Sequence, residues 1–224
     1  MLLYIKNAHA NMGFWVSKVR LSALAVLAVL LAAATCVSTA NAQAAWTRDP
    51  QSGHGGLVAY QSVFMLDRLN GWIVGSGGEI VRCYGGGWTG GWGPMTEPVL
   101  YSVYAKTASD AWAVGSGGRT LHYAGIDIGW TVQTGIPSSV DLYSVFMVST
   151  SDVWAAGYDN VNHNGRIFHY DGHRWGPWDC PGGCPSEALR SVYIVTGGVA
   201  GVAGWAVGSH GTILQFDGLT WFPY

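Results

Sequence analysis

The chain has 224 residues, 11% of them charged, with 33 glycines, 12 tryptophans and a formal net charge of −2. An ordinary soluble domain carries about 25% charge, so this composition suits sheets buried on both faces with tight turns between them. It argues against the basic footprint of a nucleic-acid binder, and past residue 43 no long Ala/Leu/Glu/Lys run keeps helical spacing.

The first 42 residues are a different material. Lys18 and Arg20 precede an apolar run from Leu21 to Ala34, and small residues follow to Ala40-Asn41-Ala42. A positive start, an apolar middle and an A-x-A site describe a secretory signal peptide, cleaved before Gln43. Met12 makes a better-proportioned start than Met1. The apolar run is shorter than the ~20 residues of a membrane span, so no span is expected after cleavage. The expected product is exported and comprises residues 43–224. Having lost Lys6, Lys18 and Arg20, it is more acidic than the whole chain.

After this segment a unit recurs four times. Ser62-Val63-Phe64, Ser102-Val103-Tyr104, Ser144-Val145-Phe146 and Ser191-Val192-Tyr193 each precede a tryptophan, at 72, 112, 154 and 205. The serines are 40, 42 and 47 residues apart, a period that marks propeller blades. Each unit holds four strand-like runs; in the second they are Leu100–Lys106, Ala111–Ser116, Arg119–Tyr123 and Trp130–Gln133. Asn70, Asp110 and Asp152 stand where a side chain can cap the first turn, and Gly78, Gly118, Gly165 and Gly211 close the second. Asp171-Gly172 and Asp217-Gly218 mark the third as a hairpin. The spacing predicts an all-β propeller of four antiparallel four-stranded blades, at about 58–92, 98–134, 140–178 and 188–224. Two insertions break the period: Tyr158–Asn164, in a second turn, and Thr196–Ala203, in a first turn.

Trp46 matches the fourth-strand tryptophans at 88, 130, 175 and 221. A strand near 46–50 is therefore expected to complete the last blade and close the ring within one chain. That predicts a monomer in preference to two chains pairing into a larger ring.

Trp112-Ala113-Val114-Gly115, the following Gly-x-Ile/Leu and the aromatic-Asp-Gly-x-x-Trp runs Tyr170–Trp175 and Phe216–Trp221 carry a resemblance. They resemble exported bacterial propeller repeats with Asp-box (BNR-like) blades, and are similar to blades of the photosystem II assembly-factor family. The resemblance covers residues 46–224. The Asp-boxes lack the usual Ser/Thr two residues before Asp, and WD40 blades match less well because no Trp-Asp pair ends a strand. What the resemblance implies is a propeller; such blades serve many roles.

Candidate chemistry is sparse. Cys180 and Cys184 form a short loop expected to hold a disulfide in an oxidising compartment, with Cys83 a small buried hydrophobe. No second cluster supplies a metal or redox set, and no cofactor is expected. His122 and His169 share a repeat slot with Cys83 and Gln215, which suits structure, whereas His163 and His210 lie in second turns and are freer. Glu97, Asp141 and Glu187 sit in interblade loops as solvated acids rather than a hydrolase pair. Nine of the 12 tryptophans fall on two core positions, and Trp15 leaves with the signal, so Trp92 and Trp178 remain for stacking on a sugar or a partner.

In an antiparallel meander the second turns and interblade loops share one end. That end collects Trp92, Tyr158, Asp159, His163, Trp178 and His210, and is the expected binding face. The reading is an exported, non-enzymatic propeller that binds a protein or glycan there. The alternative is a lectin or glycan-active hydrolase using the same face. Mass spectrometry of the exported protein is expected to find Gln43 at or near its N-terminus; an intact, membrane-held Met1 or Met12 form would refute the signal.

Overall fold

The computed structural model describes residues 58–92, 98–180, 183–195 and 204–224. The signal segment, the strand expected at Trp46, Glu97 and the Thr196–Ala203 insertion lie outside the described residues. Within them, sixteen strands form four sheets, each an antiparallel meander. Blade 1 is β1 (Tyr60–Met65), β2 (Asn70–Gly75), β3 (Ile80–Tyr84) and β4 (Gly87–Trp92). Blade 2 is β5 (Leu100–Thr107), β6 (Asp110–Gly115), β7 (Thr120–Tyr123) and β8 (Trp130–Gln133). Blade 3 is β9 (Val140–Ser149), β10 (Asp152–Asp159), β11 (Asn164–Tyr170) and β12 (Trp175–Trp178). Blade 4 is β13 (Leu189–Ile194), β14 (Gly204–Gly208), β15 (Ile213–Phe216) and β16 (Trp221–Pro223). Among the described residues no helix is long and apolar enough to cross a membrane.

The repeated serine and glycine have a common cause. In every blade the ladder between first and second strands slips by one residue just before the serine, leaving Gln61, Tyr101, Tyr143 and Arg190 unpaired. Such a bulge bends the first strand and pushes the backbone ahead of it onto a glycine of the second strand. A methyl group on Gly75, Gly115, Gly157 or Gly208 would lie 2.5, 2.0, 2.0 or 2.4 Å from the carbonyl oxygen of Ala59, Val99, Asp141 or Ala188. The backbone there is extended at Gly75, Gly115 and Gly208, so space, not conformation, demands glycine. Beyond the bulge the serine side chain faces the next blade. Ser62, Ser102 and Ser144 accept hydrogen bonds through Oγ from the N–H groups of Val103, Val145 and Val192, at 3.4, 3.2 and 3.2 Å.

Packing between blades follows the same order. The second-strand tryptophan of one blade enters the third- and fourth-strand aromatics of the next. Trp72 meets Tyr123 at 6.0 Å. Trp112 meets Tyr170 and Trp175 at 4.7 and 5.2 Å. Trp154 meets Phe216 and Trp221 at 4.9 and 5.9 Å. Among the described residues the core is accordingly three clusters, one per blade junction.

Three sequence expectations need correction. Cys83 does not share the slot of His122 and His169. Trp112 pairs with His122 and Trp154 with His169, but Trp72 pairs with Arg82, and Cys83 faces Trp88 where Tyr123 faces Trp130. The reason is the turn Gly85-Gly86, both at positive φ (64° and 86°), which makes a two-residue hairpin and adds the pair Tyr84–Gly87 to the ladder. Aligning blades on Tyr84 is therefore one residue out.

Asp110 and Asp152, expected as first-turn caps, instead reach across the sheet to His122 Nε2 and His169 Nε2 at 2.8 and 2.9 Å. The residues three before them take the capping role. Asp67 accepts from the N–H groups of Leu69 and Asn70, and Thr107 and Ser149 accept from Ser109 and Ser151. Finally, Tyr158–Asn164 is less of an insertion than its composition suggests, because the ladder continues through Tyr158–Gly165 and Asp159–Asn164.

Gly115→Ala is expected to cost about 2 kcal/mol or more in urea unfolding, since backbone must move to admit the methyl group. Gly87→Ala, where nothing lies within 4 Å, should leave the midpoint almost unchanged. Equal effects would mean that crowding by the Val99 carbonyl is not what requires glycine at position 115.

Candidate functional site

The second turns and the interblade segments share one end of the blades. Ser76, Ser116, Asn160 and Ser209 donate their backbone N–H to Ala59, Val99, Ser139 and Ala188, at 2.9 to 3.0 Å. Gly117 N–H donates to Asp141 Oδ1 and Asn160 Nδ2 to Asp141 Oδ2, both at 3.0 Å, so this acid ties blade 2 to blade 3. Glu187 Oε1 accepts from Ser186 Oγ at 2.8 Å. Cys180 and Cys184 are bonded to each other, with Cα atoms 5.0 Å apart, at the same end. Among the described residues no group of three or more His, Cys, Asp or Glu could hold a metal ion.

The six residues singled out from sequence fare differently. Asp159 is buried, and it organises its own turn. Its Oδ1 accepts from Val161 and Asn162 N–H at 3.0 and 3.2 Å, and its Oδ2 from Asn162 Nδ2 at 2.7 Å. The Asn162 side chain first, and these backbone donors after it, hold its carboxyl down to about 2 against the opposing effect of burial. Trp178 is half-buried against Trp154, His169 and Phe216, at 4.9, 5.3 and 5.9 Å, and seals the junction of blades 3 and 4. Tyr158 is half-buried in β10, and Trp92 ends β4 opposite Ile80.

His163 and His210 are exposed and both sit at φ 53°. His210 occupies the turn position held by Gly77 and Gly117, at φ 69° and 65°. A side chain in this left-handed region costs about 1 kcal/mol relative to glycine, so the imidazole is displayed at some expense to stability.

A further set was not singled out from sequence. The unpaired bulge residues line up from blade to blade on the first strands. Tyr101 and Tyr143 have ring centroids 5.3 Å apart, and the Arg190 guanidinium lies 4.1 Å from the Tyr143 centroid. Burial raises the Tyr143 hydroxyl above the ordinary tyrosine range, while Arg190 pulls it back. Further along the same strands a second ladder runs Phe64–Tyr104–Phe146–Tyr193, with centroids 4.5, 4.9 and 4.5 Å apart. Beside it opens a cavity of about 230 Å³ lined by Tyr104, Lys106, Phe146, Tyr193 and Ile194. Burial, then the neighbouring Tyr193, raises the Tyr104 hydroxyl as well.

The inner strands thus present ring faces, hydroxyls and one cation toward each end. That chemistry can stack and hydrogen-bond a ligand. The signal that could have found the upper row is positional: each member immediately precedes the repeated serine.

No family model matches the sequence, and no curated protein matches it. Solved structures do resemble it. The structure of YCF48 bound to D1 peptide superposes with a TM-score of 0.55 at 18% identity, over 75% of this chain and 53% of that one. YCF48 from Cyanidioschyzon merolae superposes with a TM-score of 0.50 at 15% identity, over 74% and 56%. The chain spans about half the length of these structures. At this identity the likeness, with the four four-stranded sheets, establishes the propeller fold alone.

The Asp159 carboxylate yields a pH prediction. Its folded pKa lies below the unfolded value of 3.8, so its contribution is complete above that value and is lost as pH falls toward about 2. Asp159→Asn is expected to lower stability by about 1–2 kcal/mol at pH 7, the worth of charge-assisted hydrogen bonds. Urea unfolding should show the difference from wild type disappearing by roughly pH 2. A difference that persists unchanged in acid would mean that the charge is not what orders this turn.

Proposed function

We propose that this chain is an exported protein-binding module that receives a segment of a partner polypeptide across the row Tyr101, Tyr143 and Arg190. The observation that carries the reading is the row itself. Three neighbouring blades each place their unpaired bulge residue in line, at the end where the second turns and interblade loops gather. Tyrosine offers a large contact area for little rotamer entropy, and arginine a fork of donors for carbonyl or carboxylate oxygens. Tyrosine and arginine are also the residues most enriched where a few side chains dominate binding.

His163 and His210 stand exposed on second turns of the same end and extend the surface. The solved propeller bound to a peptide supports a polypeptide ligand over other classes. Export is supported by the charged and apolar N-terminal sequence, and by the bonded Cys180–Cys184 pair, which suits an oxidising compartment.

The test is a random displayed-peptide library panned on the exported protein, with a glycan array run in parallel. Recovered peptides should lose about tenfold or more in affinity to Tyr143→Ala and to Arg190→Ala. Leu219→Ala, on an exposed third turn of blade 4, should leave them unaffected. Thermal midpoints of all three variants control for folding. Glycan binding that Tyr143→Ala abolishes, with no peptide recovered, would establish the lectin reading in its place.

A further inference from the structure

The blade junctions are repeated so regularly that an unused one can be recognised. At each junction the later blade turns three side chains of its first strand toward the earlier one. In blade 2 these are Leu100, Val103 and Ala105; in blade 3, Leu142, Val145 and Met147; in blade 4, Leu189, Val192 and Ile194. All nine are buried. The equivalent residues of blade 1 are Tyr60, Val63 and Met65, and all three are exposed. Val63 stands at 61%, against 4%, 4% and 3% for Val103, Val145 and Val192.

The opposite half of the junction is uncovered on blade 4. Its second and third strands should bury Trp205, Val207 and Ile213, as Trp72, Val74 and Ile80 are buried in blade 1. Instead Trp205 is half-buried, Val207 is 42% exposed and Ile213 is exposed too. The ring ladder on the inner strands also stops at an exposed Tyr193. Among the described residues, no blade follows Ser191 Oγ to donate an N–H, and no serine precedes Val63 to receive one.

Two apolar faces are therefore left over, and they are the two complementary halves of a contact that the chain already makes three times. We propose that they cover each other between two copies of this chain, blade 4 of each against blade 1 of the other. The contact is head-to-tail, and with two copies it closes on itself about a twofold axis. Two sets of four blades make a ring of eight, at the upper end of the ~4–8 range for propellers. Closure also carries the upper row onward, from Arg190 of one copy to Gln61 of the second. The proposal goes beyond the binding reading and stands without it.

Light scattering on the exported protein at micromolar concentration should give the mass of two chains. Val63→Asp should give one chain, and so should Val207→Asp, since each places a carboxylate in both junctions. Mixing the two variants should restore a dimer held through a single junction, blade 4 of the first against blade 1 of the second, with both carboxylates gathered in the other. Amide hydrogen exchange provides a readout without substitution. The Val63 N–H should exchange as slowly as those of Val103, Val145 and Val192, covered by Ser191 of the second copy.

A single-chain wild type would overturn the proposal, whether the faces are then covered by the N-terminal residues or by a different protein. A trimer or open polymer would overturn the eight-blade ring. A dimer that survives both substitutions would place the contact elsewhere.

Discussion

The fold depends on one contact: a tryptophan from the second strand of each of the first three blades, inserted into the aromatic residues of the blade after it. A four-stranded sheet cannot bury its own faces, so a blade alone has no core. Each such tryptophan removes on the order of 200 Å² from water, roughly 4–6 kcal/mol before ordering costs. The serine Oγ that receives the valine N–H fixes the sliding register of the same junction, because a displaced blade would leave that donor unsatisfied. Stability is then a chain of nearest-neighbour terms, as in other repeat arrays. Junction contacts, rather than any single blade, decide whether the blades hold together.

This arrangement also explains why the surface turns are stiff. The second turns are not free loops, since each donates a backbone N–H to the segment that leads into its own blade. Asp141 adds a carboxylate bridge from blade 2 to blade 3. Side chains at this end project from a floor held by backbone hydrogen bonds. A binding surface built on it loses little entropy when it meets a rigid partner.

Much of this was legible because the repeat places a single unmistakable residue at each structural step. Ser102 and Trp112 recur at the same distance in the first three blades, and the glycine three residues after Trp112 is required by the Val99 carbonyl pressed against it. Where the sequence misled, a local hydrogen-bond preference had overridden composition. Asn-rich Tyr158–Asn164 looks open, but Asp159 folds it into a short turn that the ladder runs into. Gly85-Gly86 looks like a shortened copy of Asp-Gly, but its two positive φ angles add a ladder pair and move Cys83 into the aromatic slot. The row of Tyr101, Tyr143 and Arg190 was hidden for a different reason. Its position holds glutamine, tyrosine, tyrosine and arginine from blade to blade, and alignment of repeats looks for sameness.

That lack of sameness has a consequence. A residue with no partner in the ladder is released from the two demands that govern its neighbours, namely to fit a facing side chain and to fill a junction. Gln61, Tyr101, Tyr143 and Arg190 could differ freely while the serine beside each stayed the same. On the proposed reading, the bulge would separate what the protein recognises from what holds the ladder together. One blade's letter can be rewritten without respelling the scaffold, and a lineage of such chains could change partners one residue at a time.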